Sequence, residues 1–269
     1  MRTLLALGVT IALVAPSLVR GEKATAEGAT SAASDARVWI GRHAEFEEFL
    51  RTAPIERFKD AGSGVTGTRR AFFRPGGLAE SAAVKVLPPR WRGAFFESYK
   101  SEIAAYELDR LLGMNMVPVT VERRIGDHLA SVGLWSKGRI LANVESQAPR
   151  HPAEWSRQVR RYLIFDALIA NIDRNAQNIL IDDEWNVILI DHSRAFAVDT
   201  MPGEKKITRI DRDFFAAMKA LDENTLMEHL RPWLFDDGAV RSLLKRRDKI
   251  VAKLERLIEE RGEAAVLSH

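Results

Sequence analysis

Short apolar runs, separated by glycine and proline, dominate the chain between residues 55 and 90. One run ends at Gly62, the segment TRRAFF follows, and a Pro-Gly-Gly turn precedes AAVKVL. Runs of this length with such breaks are typical of β-strands. Two further alternating runs, VPVTVERRI and HLASVGLWS, flank Gly126-Asp127 and predict a hairpin. The first half of the chain is therefore expected to be rich in strands.

Apolar residues at helical spacing follow the third strand and return after residue 150. One stripe consists of Phe96, Tyr99, Ile103 and Tyr106. Their spacing of three, four and three predicts a helix from about Gly93 to Leu112. A second helix is predicted from about Pro152 to Ala170. After Ile210 the pattern is again helical, and it ends in a charged amphipathic segment at 239–261.

Two short apolar runs, Ile179–Ile181 and Val187–Ile190, lie between these helical regions around a polar turn. Strands with one helix come first along the chain and helices come later. This order predicts a two-lobed α+β fold. The small β-rich N-lobe, with one long helix, is expected at residues 38–136 and the mainly helical C-lobe at 137–269.

The N-terminal segment differs from the rest of the chain. Arg2 precedes an apolar stretch at residues 4–15, which is the layout of a secretory signal peptide and is short for a membrane span. We therefore interpret residues 1–26 as a signal peptide and the small, polar residues 27–37 as a flexible linker. Export is predicted, to the periplasm, the secretory-pathway lumen or the medium. An uncleaved N-terminal anchor is the alternative, and membrane contact is expected only through this segment.

The composition excludes several classes of site. Hydrophobic residues make up 46% of the 269 residues and charged residues 29%, as in ordinary soluble domains. No cysteine is present, which excludes disulfides, thiolate metal sites and cysteine nucleophiles. Removal of residues 1–26, with three basic residues and one acidic residue, lowers the formal net charge from +3 to +1. No nucleic-acid partner is therefore predicted.

Gly62, Gly64 and Gly67 form a G-x-G-x-x-G motif. A dinucleotide-binding site needs a helix directly after these glycines, but the strand pattern TRRAFF follows. A protein-kinase site has this loop between two antiparallel strands and a lysine on the next strand, where Lys85 lies. A lysine between apolar residues needs anionic partners such as phosphate and carboxylate. These four residues are therefore predicted to bind nucleotide.

Two acids of the predicted helix are candidates for the carboxylate that pairs with Lys85. Glu97 and Glu102 are five residues apart, which places them about 140° apart around a regular helix. The two carboxylates therefore cannot both face Lys85 from one regular helix. Glu102 lies next to the apolar stripe and is the predicted partner, whereas Glu97 would reach the site only from the first turn.

Asp173, Asn178 and Asp191 lie at the ends of the two short apolar runs, and each alone would be an ordinary turn residue. Protein kinases place a catalytic acid and a metal-binding amide five residues apart, with a metal-binding aspartate after the next hairpin. The three residues have this order and spacing. With Lys85 they predict an ATP- and metal-dependent phosphoryl-transfer site, and their oxygen ligands favour Mg2+. Arg174 is expected beside the Asp173 carboxylate.

The segments NIDRNAQNIL and ILIDHSRAF resemble the catalytic and metal loops of atypical kinases. These include the phosphatidylinositol 3-/4-kinases, the HipA-like kinases and the Golgi casein kinase and four-jointed group. Residues 97–123 are most similar to the Golgi casein kinase group, and the resemblance spans roughly residues 57–200. Two features depart from the pattern: Asn175 stands where histidine is usual, and Asp191-His192-Ser193 lacks the aromatic and glycine that often follow the aspartate.

The resemblance implies a kinase-like fold and a role for each candidate residue. Lys85 would bind phosphate, and Glu102 would pair with it or with metal. Asp173 would be the catalytic acid–base, and Asn178 and Asp191 the metal ligands. The resemblance also makes Mn2+ a competitor of Mg2+.

The predicted function is transfer of the γ-phosphate of ATP to a hydroxyl of a protein, lipid or sugar acceptor, which the sequence does not name. The alternative is an inactive nucleotide-binding pseudokinase or binding module. A third hypothesis keeps the fold but transfers a nucleotidyl group. All the charged groups that the chemistry needs are present, which favours the enzyme.

Overall fold

The computed structural model describes residues 36–62, 67–196 and 201–268. The predicted signal peptide, nearly all of the predicted linker, and Gly64 of the glycine motif lie outside these residues. None of the described helices combines the length and the apolar composition needed to cross a membrane. The boundary predicted between residues 136 and 137 stays a prediction.

The described residues contain twelve strands, most of them in the first half of the chain. In chain order they are β1 (Ile55–Asp60), β2 (Arg69–Phe73), β3 (Ser81–Lys85), β4 (Arg90–Arg92), β5 (Phe95–Glu97), β6 (Thr120–Ile125), β7 (His128–Leu134), β8 (Arg139–Ile140), β9 (Ile179–Ile181), β10 (Val187–Leu189), β11 (Ile210–Asp211) and β12 (Leu267–Ser268). The helices among them are α1 (His43–Thr52), α2 (Tyr99–Leu111), α3 (Pro152–Leu168), α4 (Arg212–Ala220), α5 (Glu223–Leu230), α6 (Asp237–Arg261) and α7 (Glu263–Val266).

An antiparallel sheet of five strands, in the order β1-β2-β3-β7-β6, forms the N-lobe. The predicted hairpin is confirmed, since β6 and β7 pair around Gly126, whose φ of 59° suits a tight turn. Lys85 is the last residue of β3, and it pairs in register with Ser131 of β7. The candidate lysine therefore stands at one end of a central strand.

Helix α1 was not predicted, although Phe46, Phe49 and Leu50 have helical spacing. Phe46 and Leu50 are buried. The end of the helix is held to the sheet by Arg123, whose Nη1 donates to the carbonyls of Leu50 at 3.0 Å and Ala53 at 2.8 Å. The guanidinium satisfies carbonyls that have no partner within the helix.

The prediction that a helix begins near Gly93 was wrong. Residues 90–92 and 95–97 instead pair as a two-stranded ribbon, β4 and β5, and α2 begins at Tyr99. Ser98 caps this helix, since its hydroxyl accepts from the backbone N–H of Lys100 at 3.0 Å. Glu97 thus lies on a strand, and the angular argument that separated it from Glu102 around one helix does not apply.

The second half of the chain is mainly helical, as predicted. Phe165 and Leu168 of α3 and Leu243, Ile250 and Leu254 of α6 are all buried in the main core. The two short apolar runs pair as the antiparallel hairpin β9–β10, and β8 adds to its edge. The predicted α+β architecture, with strands first and helices later, is therefore confirmed.

Candidate active site

A cleft of about 530 Å³ lies between the five-stranded sheet and the β9–β10 hairpin. Its lining includes Gly62, Lys85, Glu102, Asn178 and Asp191. These residues come from five separate segments of the chain. The fold therefore brings together the described residues that were predicted to hold nucleotide and metal, apart from Gly67.

Lys85 is buried, with 8% of its surface exposed, and it is paired twice. Its Nζ lies 2.5 Å from Glu102 Oε1 and 2.7 Å from Asp191 Oδ1. Burial lowers the pKa of the lysine, but the two carboxylates outweigh burial and hold the pKa above its ordinary value. Lys85 is therefore a fixed cation at the end of β3.

Both oxygens of Glu102 are used within the protein. Oε1 accepts from Lys85, and Oε2 accepts from the backbone N–H of His192 at 3.0 Å. Burial raises the pKa of Glu102, but Lys85 and His192 together lower the pKa by more than burial raises it. The net shift of the pKa is therefore downward. This geometry favours the ion pair over metal ligation among the two roles that the resemblance implied for Glu102.

His192 is packed inside the protein, with 1% of its surface exposed. Its ring meets the edge of Phe165 at a centroid distance of 6.1 Å. Burial lowers the pKa of the imidazole and keeps the ring neutral. His192 therefore packs inside the protein next to the candidate site.

Asp191 follows β10 in a left-handed backbone conformation with φ of 61°. Residues without a glycine's freedom adopt this region at an energetic cost, and they do so often at functional sites. Lys85 and Ser193 both donate to Oδ1, at 2.7 and 3.1 Å. The side chain is 28% exposed, so Oδ2 is the oxygen available to a cation in the cleft.

The segment from Asp173 to Asn178 ends in a one-turn 3-10 helix, Ala176–Asn178, capped by Asn175. Asn178 Nδ2 donates to the backbone carbonyl of Asp173 at 3.1 Å. An amide that donates through nitrogen keeps its oxygen as an acceptor. This contact ties the predicted catalytic acid to the predicted metal ligand.

Arg174 does not lie beside the Asp173 carboxylate, and that expectation was wrong. Its guanidinium is buried and binds Asp166, with Nε 2.9 Å from Oδ2. Its Nη1 also donates to the carbonyls of Asn178 at 2.8 Å and Ile190 at 2.7 Å. Arg174 thus fastens the segment 173–178 to the hairpin that precedes Asp191.

The cation beside Asp173 is Arg194, which the sequence reasoning missed. Arg194 Nη1 lies 3.2 Å from Asp173 Oδ2, and the Asp173 side chain is 40% exposed. Arg194 also binds Glu97 Oε1 through Nη2 at 2.6 Å and Nε at 3.0 Å. Glu97 is fully buried. The only hint of this burial in the sequence was that Glu97 directly follows the apolar residues Phe95 and Phe96.

The glycine loop joins β1 and β2, which are antiparallel, as the kinase interpretation requires. Gly62 has φ of 103° and Gly67 has φ of 63°, conformations that favour glycine. Gly62 lines the cleft, whereas Gly64 lies outside the described residues. The glycine loop therefore connects two antiparallel strands of the sheet, as predicted.

The donor set of the cleft fits a hard divalent cation. Asp191 and Asn178 both line the cleft and have side-chain oxygen atoms, and Mg2+ in phosphate-binding sites uses one or two carboxylates together with phosphate oxygens. Within the described ranges, no three histidine, cysteine, aspartate or glutamate side chains form a metal-binding group. The residues present suit an ion that shares its coordination with a bound phosphate.

Solved structures with similar folds include kinases. A Golgi casein kinase with Mn and ADP bound matches with a TM-score of 0.62 and 18% identity, over 87% of this chain and 79% of that one. Hydra Fam20, in a structure with sugar, matches with a TM-score of 0.63 and 14% identity, over 84% and 91%. The proinflammatory kinase CtkA of Helicobacter pylori matches with a TM-score of 0.55 and 15% identity, over 78% and 98%.

The sequence matches no protein-family model and no curated protein. At these identities the structural likeness shows the fold alone. The chain has the two-lobed α+β fold of the atypical kinases, and the resemblance predicted from the sequence is confirmed at that level.

Proposed function

We propose that this chain, which has an atypical-kinase fold, is a metal-dependent phosphotransferase that moves the γ-phosphate of ATP to a hydroxyl acceptor. The observation that carries the proposal is the meeting of Lys85 with Glu102 and Asp191, at 2.5 and 2.7 Å, from three segments of the chain. Buried ion pairs contribute little net stability. A triad of this kind at the wall of a cleft is better explained by phosphate binding.

Lys85 is the phosphate-binding group of this proposal. Its ammonium carries three donors, two of which are directed at Glu102 and Asp191. Glu102 keeps the lysine charged and fixes its direction, because its own second oxygen is held by the backbone of His192. A phosphate oxygen in the cleft would be the third acceptor.

Asp191 and Asn178 would hold the metal ion through their oxygens. The ion, when bound, neutralises charge that develops on the transferred phosphoryl group. The left-handed backbone at Asp191 and the amide contact of Asn178 to Asp173 would hold the two side chains in place for this role. Mg2+ and Mn2+ both suit this donor set, and Mn in the similar Golgi casein kinase structure supports testing both.

Asp173 is the proposed catalytic acid–base. Its carboxylate is partly exposed and lies on the loop that also carries Asn178. A carboxylate in this position accepts the proton of the acceptor hydroxyl and orients the acceptor oxygen. Its exposure leaves room for an acceptor group to approach.

The alternative is a pseudokinase that binds nucleotide without turnover. One observation favours the pseudokinase. Asp173 is already paired with Arg194, and Asp191 is already paired with Lys85. Incubation with ATP, a divalent ion and a panel of protein, lipid and sugar acceptors, followed by intact-mass analysis, separates the hypotheses. Gain of one phosphoryl group supports the kinase, and gain of one nucleotidyl group supports nucleotidyl transfer. Binding without any product supports the pseudokinase.

Export of the mature protein is part of the proposal, since residues 1–26 have the layout of a signal peptide. It agrees with the likeness to a kinase named for the Golgi. N-terminal sequencing of protein from its native host tests it. A start between residues 16 and 37 in a non-cytoplasmic fraction supports export, and a start at Met1 in the cytosol contradicts it.

A further inference from the structure

We propose that Glu97 and Arg194 form a positioning pair that holds Asp173 in place for proton transfer. This inference rests on the proposed phosphotransferase function and deepens it. Neither residue was among those predicted to carry the chemistry. The pair consists of a buried carboxylate on β5 and a guanidinium that bridges from it to the candidate acid–base.

The bridge is defined by three hydrogen bonds from one side chain. Arg194 donates twice to Glu97 Oε1, from Nη2 at 2.6 Å and from Nε at 3.0 Å, and once to Asp173 Oδ2, from Nη1 at 3.2 Å. A planar guanidinium has donors in a fixed fork, so binding Glu97 also sets the direction of Nη1. A lysine donates from one freely rotating ammonium, so it cannot hold Glu97 and Asp173 through separate nitrogens in a fixed fork.

The two ends of the bridge are in different environments. Glu97 is fully buried, and the Asp173 side chain is 40% exposed. The hydrogen bond with Glu97 raises the pKa of Arg194, which therefore stays charged. The buried end anchors the arginine, and the exposed end is left for the acceptor.

Backbone contacts support the same arrangement. The N–H of Ser98 donates to the carbonyl of Ser193 at 2.9 Å, directly beside the Glu97–Arg194 pair. The Arg194 guanidinium also lies over the ring of Phe95, 4.9 Å from its centroid. Segments 95–98 and 193–194 are therefore joined by backbone and side chains, and Asp173 is held by the joined unit.

The bridge leaves Asp173 chemically able to act. Arg194 occupies Oδ2, so Oδ1 is the oxygen left to accept from an acceptor hydroxyl. In the transfer step the hydroxyl proton passes to Oδ1, and the acceptor oxygen forms a bond to the γ-phosphorus. The bond from that phosphorus to the β–γ bridging oxygen breaks, and ADP leaves with the electron pair. Fixing the carboxylate lowers the barrier by orientation.

The first test is turnover of acceptor by single and double variants. Arg194→Met and Arg194→Lys are expected to lower kcat by about tenfold to a hundredfold, with the KM for ATP nearly unchanged. If Arg194 acts through Asp173, Arg194→Met in an Asp173→Asn background lowers kcat by less than about twofold. A full additive loss in that background would overturn the positioning role and indicate direct contact with substrate.

The second test does not depend on activity. Carbodiimide labelling of Asp173, read by peptide mass spectrometry, is expected to be several-fold faster in Arg194→Met, because Oδ2 is uncovered. Equal rates in wild type and this variant would overturn the inference even in an active enzyme. Absence of turnover in the wild type with every acceptor would overturn the proposed function, and the catalytic role of the pair with it, whatever the labelling shows.

Folding needs its own control, since Arg194→Met leaves the buried Glu97 with Arg90, whose Nη2 is 3.8 Å away, as its remaining cation among the described residues. The double variant Glu97→Gln/Arg194→Met removes that unpaired charge and is expected to have a higher Tm than Arg194→Met, with kcat still low. Arg161→Met is a matched control, because Arg161 is similarly exposed, at 13% against 17%, and also pairs with a buried acid, Asp211. It is expected to leave kcat and Asp173 labelling unchanged. Recovery of full kcat in the double variant would show that only stability had been affected.

Discussion

Lys85 and Asp191 are 106 residues apart in the sequence, yet Lys85 Nζ lies 2.7 Å from Asp191 Oδ1. The contact joins the end of β3 to the residue after β10, and hence the sheet to the hairpin across the cleft. A phosphate bound by Lys85 and a metal ion held by Asp191 would therefore lie next to each other in the cleft. The two groups are therefore expected to act together in binding.

We predict that Lys85→Ala and Asp191→Ala each abolish detectable ATP binding in the presence of Mg2+ or Mn2+. The first variant removes the charge that meets phosphate, and the second removes the ligand of the bridging metal. Calorimetry on folded protein measures the effect. Lys219→Ala is the control, since Lys219 pairs with Glu255 on the surface, at 2.7 Å. Wild-type affinity in either site variant would contradict its assignment.

Arg174→Met is predicted to lower the free energy of unfolding by about 3–5 kcal/mol. The buried guanidinium pairs with Asp166, so its loss leaves an uncompensated carboxylate, and two carbonyls lose their donor. Chemical denaturation measures the change. Arg150→Met, which removes an exposed pair with Glu184, is expected to cost at most about 1 kcal/mol. Equal effects of the two variants would argue against this role of Arg174.

Local pattern was enough to predict that Lys85 and Asp191 would line one cleft. Lys85 lies within the apolar run AAVKVL, Asp191 follows the run at 187–190, and the two runs have the order of the kinase motifs. The pairing of Glu97 was missed because the helix boundary was placed too early. Because β5 was predicted as part of the helix, Glu97 was expected to point away from Glu102. Its observed partner, Arg194, was therefore not considered.

Contacts between distant residues carry no comparable signal in one sequence. Glu97 and Arg194 are 97 residues apart, and nothing in the spacing of either indicates the other. Arg174 follows Asp173 directly, and proximity in sequence suggested a contact that the structure does not show. Its side chain instead reaches Asp166, eight residues earlier at the end of α3.

Asp109 predicts a pH dependence of stability. Burial raises its pKa to about 7, although the N–H groups of Met116 and Val117 donate to Oδ1 at 2.9 and 3.1 Å and oppose the rise. As pH rises from about 4 to about 7, the unfolded chain ionises first, so this residue lowers stability progressively and most of all above pH 7. Asp109→Asn keeps the acceptor oxygen and removes the titration. Its stability relative to wild type should rise by up to about 1.4 kcal/mol per pH unit across that window.

Denaturation of both proteins at about pH 5 and about pH 8 tests this expectation. A difference between the two proteins that is constant with pH would show that Asp109 does not titrate in this range. Asp183→Asn, at an exposed turn, is the control and should show no such trend.

Asp173→Asn separates the kinase from the pseudokinase. The change removes the charge that accepts the hydroxyl proton but keeps the shape, and the backbone carbonyl that holds Asn178 is untouched. We expect kcat to fall by about 10²-fold or more, while calorimetry shows nearly unchanged ATP affinity, because Lys85, Asn178 and Asp191 carry the binding. Asp183→Asn again serves as the control and should retain full turnover. Equal turnover by wild type and Asp173→Asn would remove Asp173 from the reaction, and ATP binding by both without any product would favour the pseudokinase.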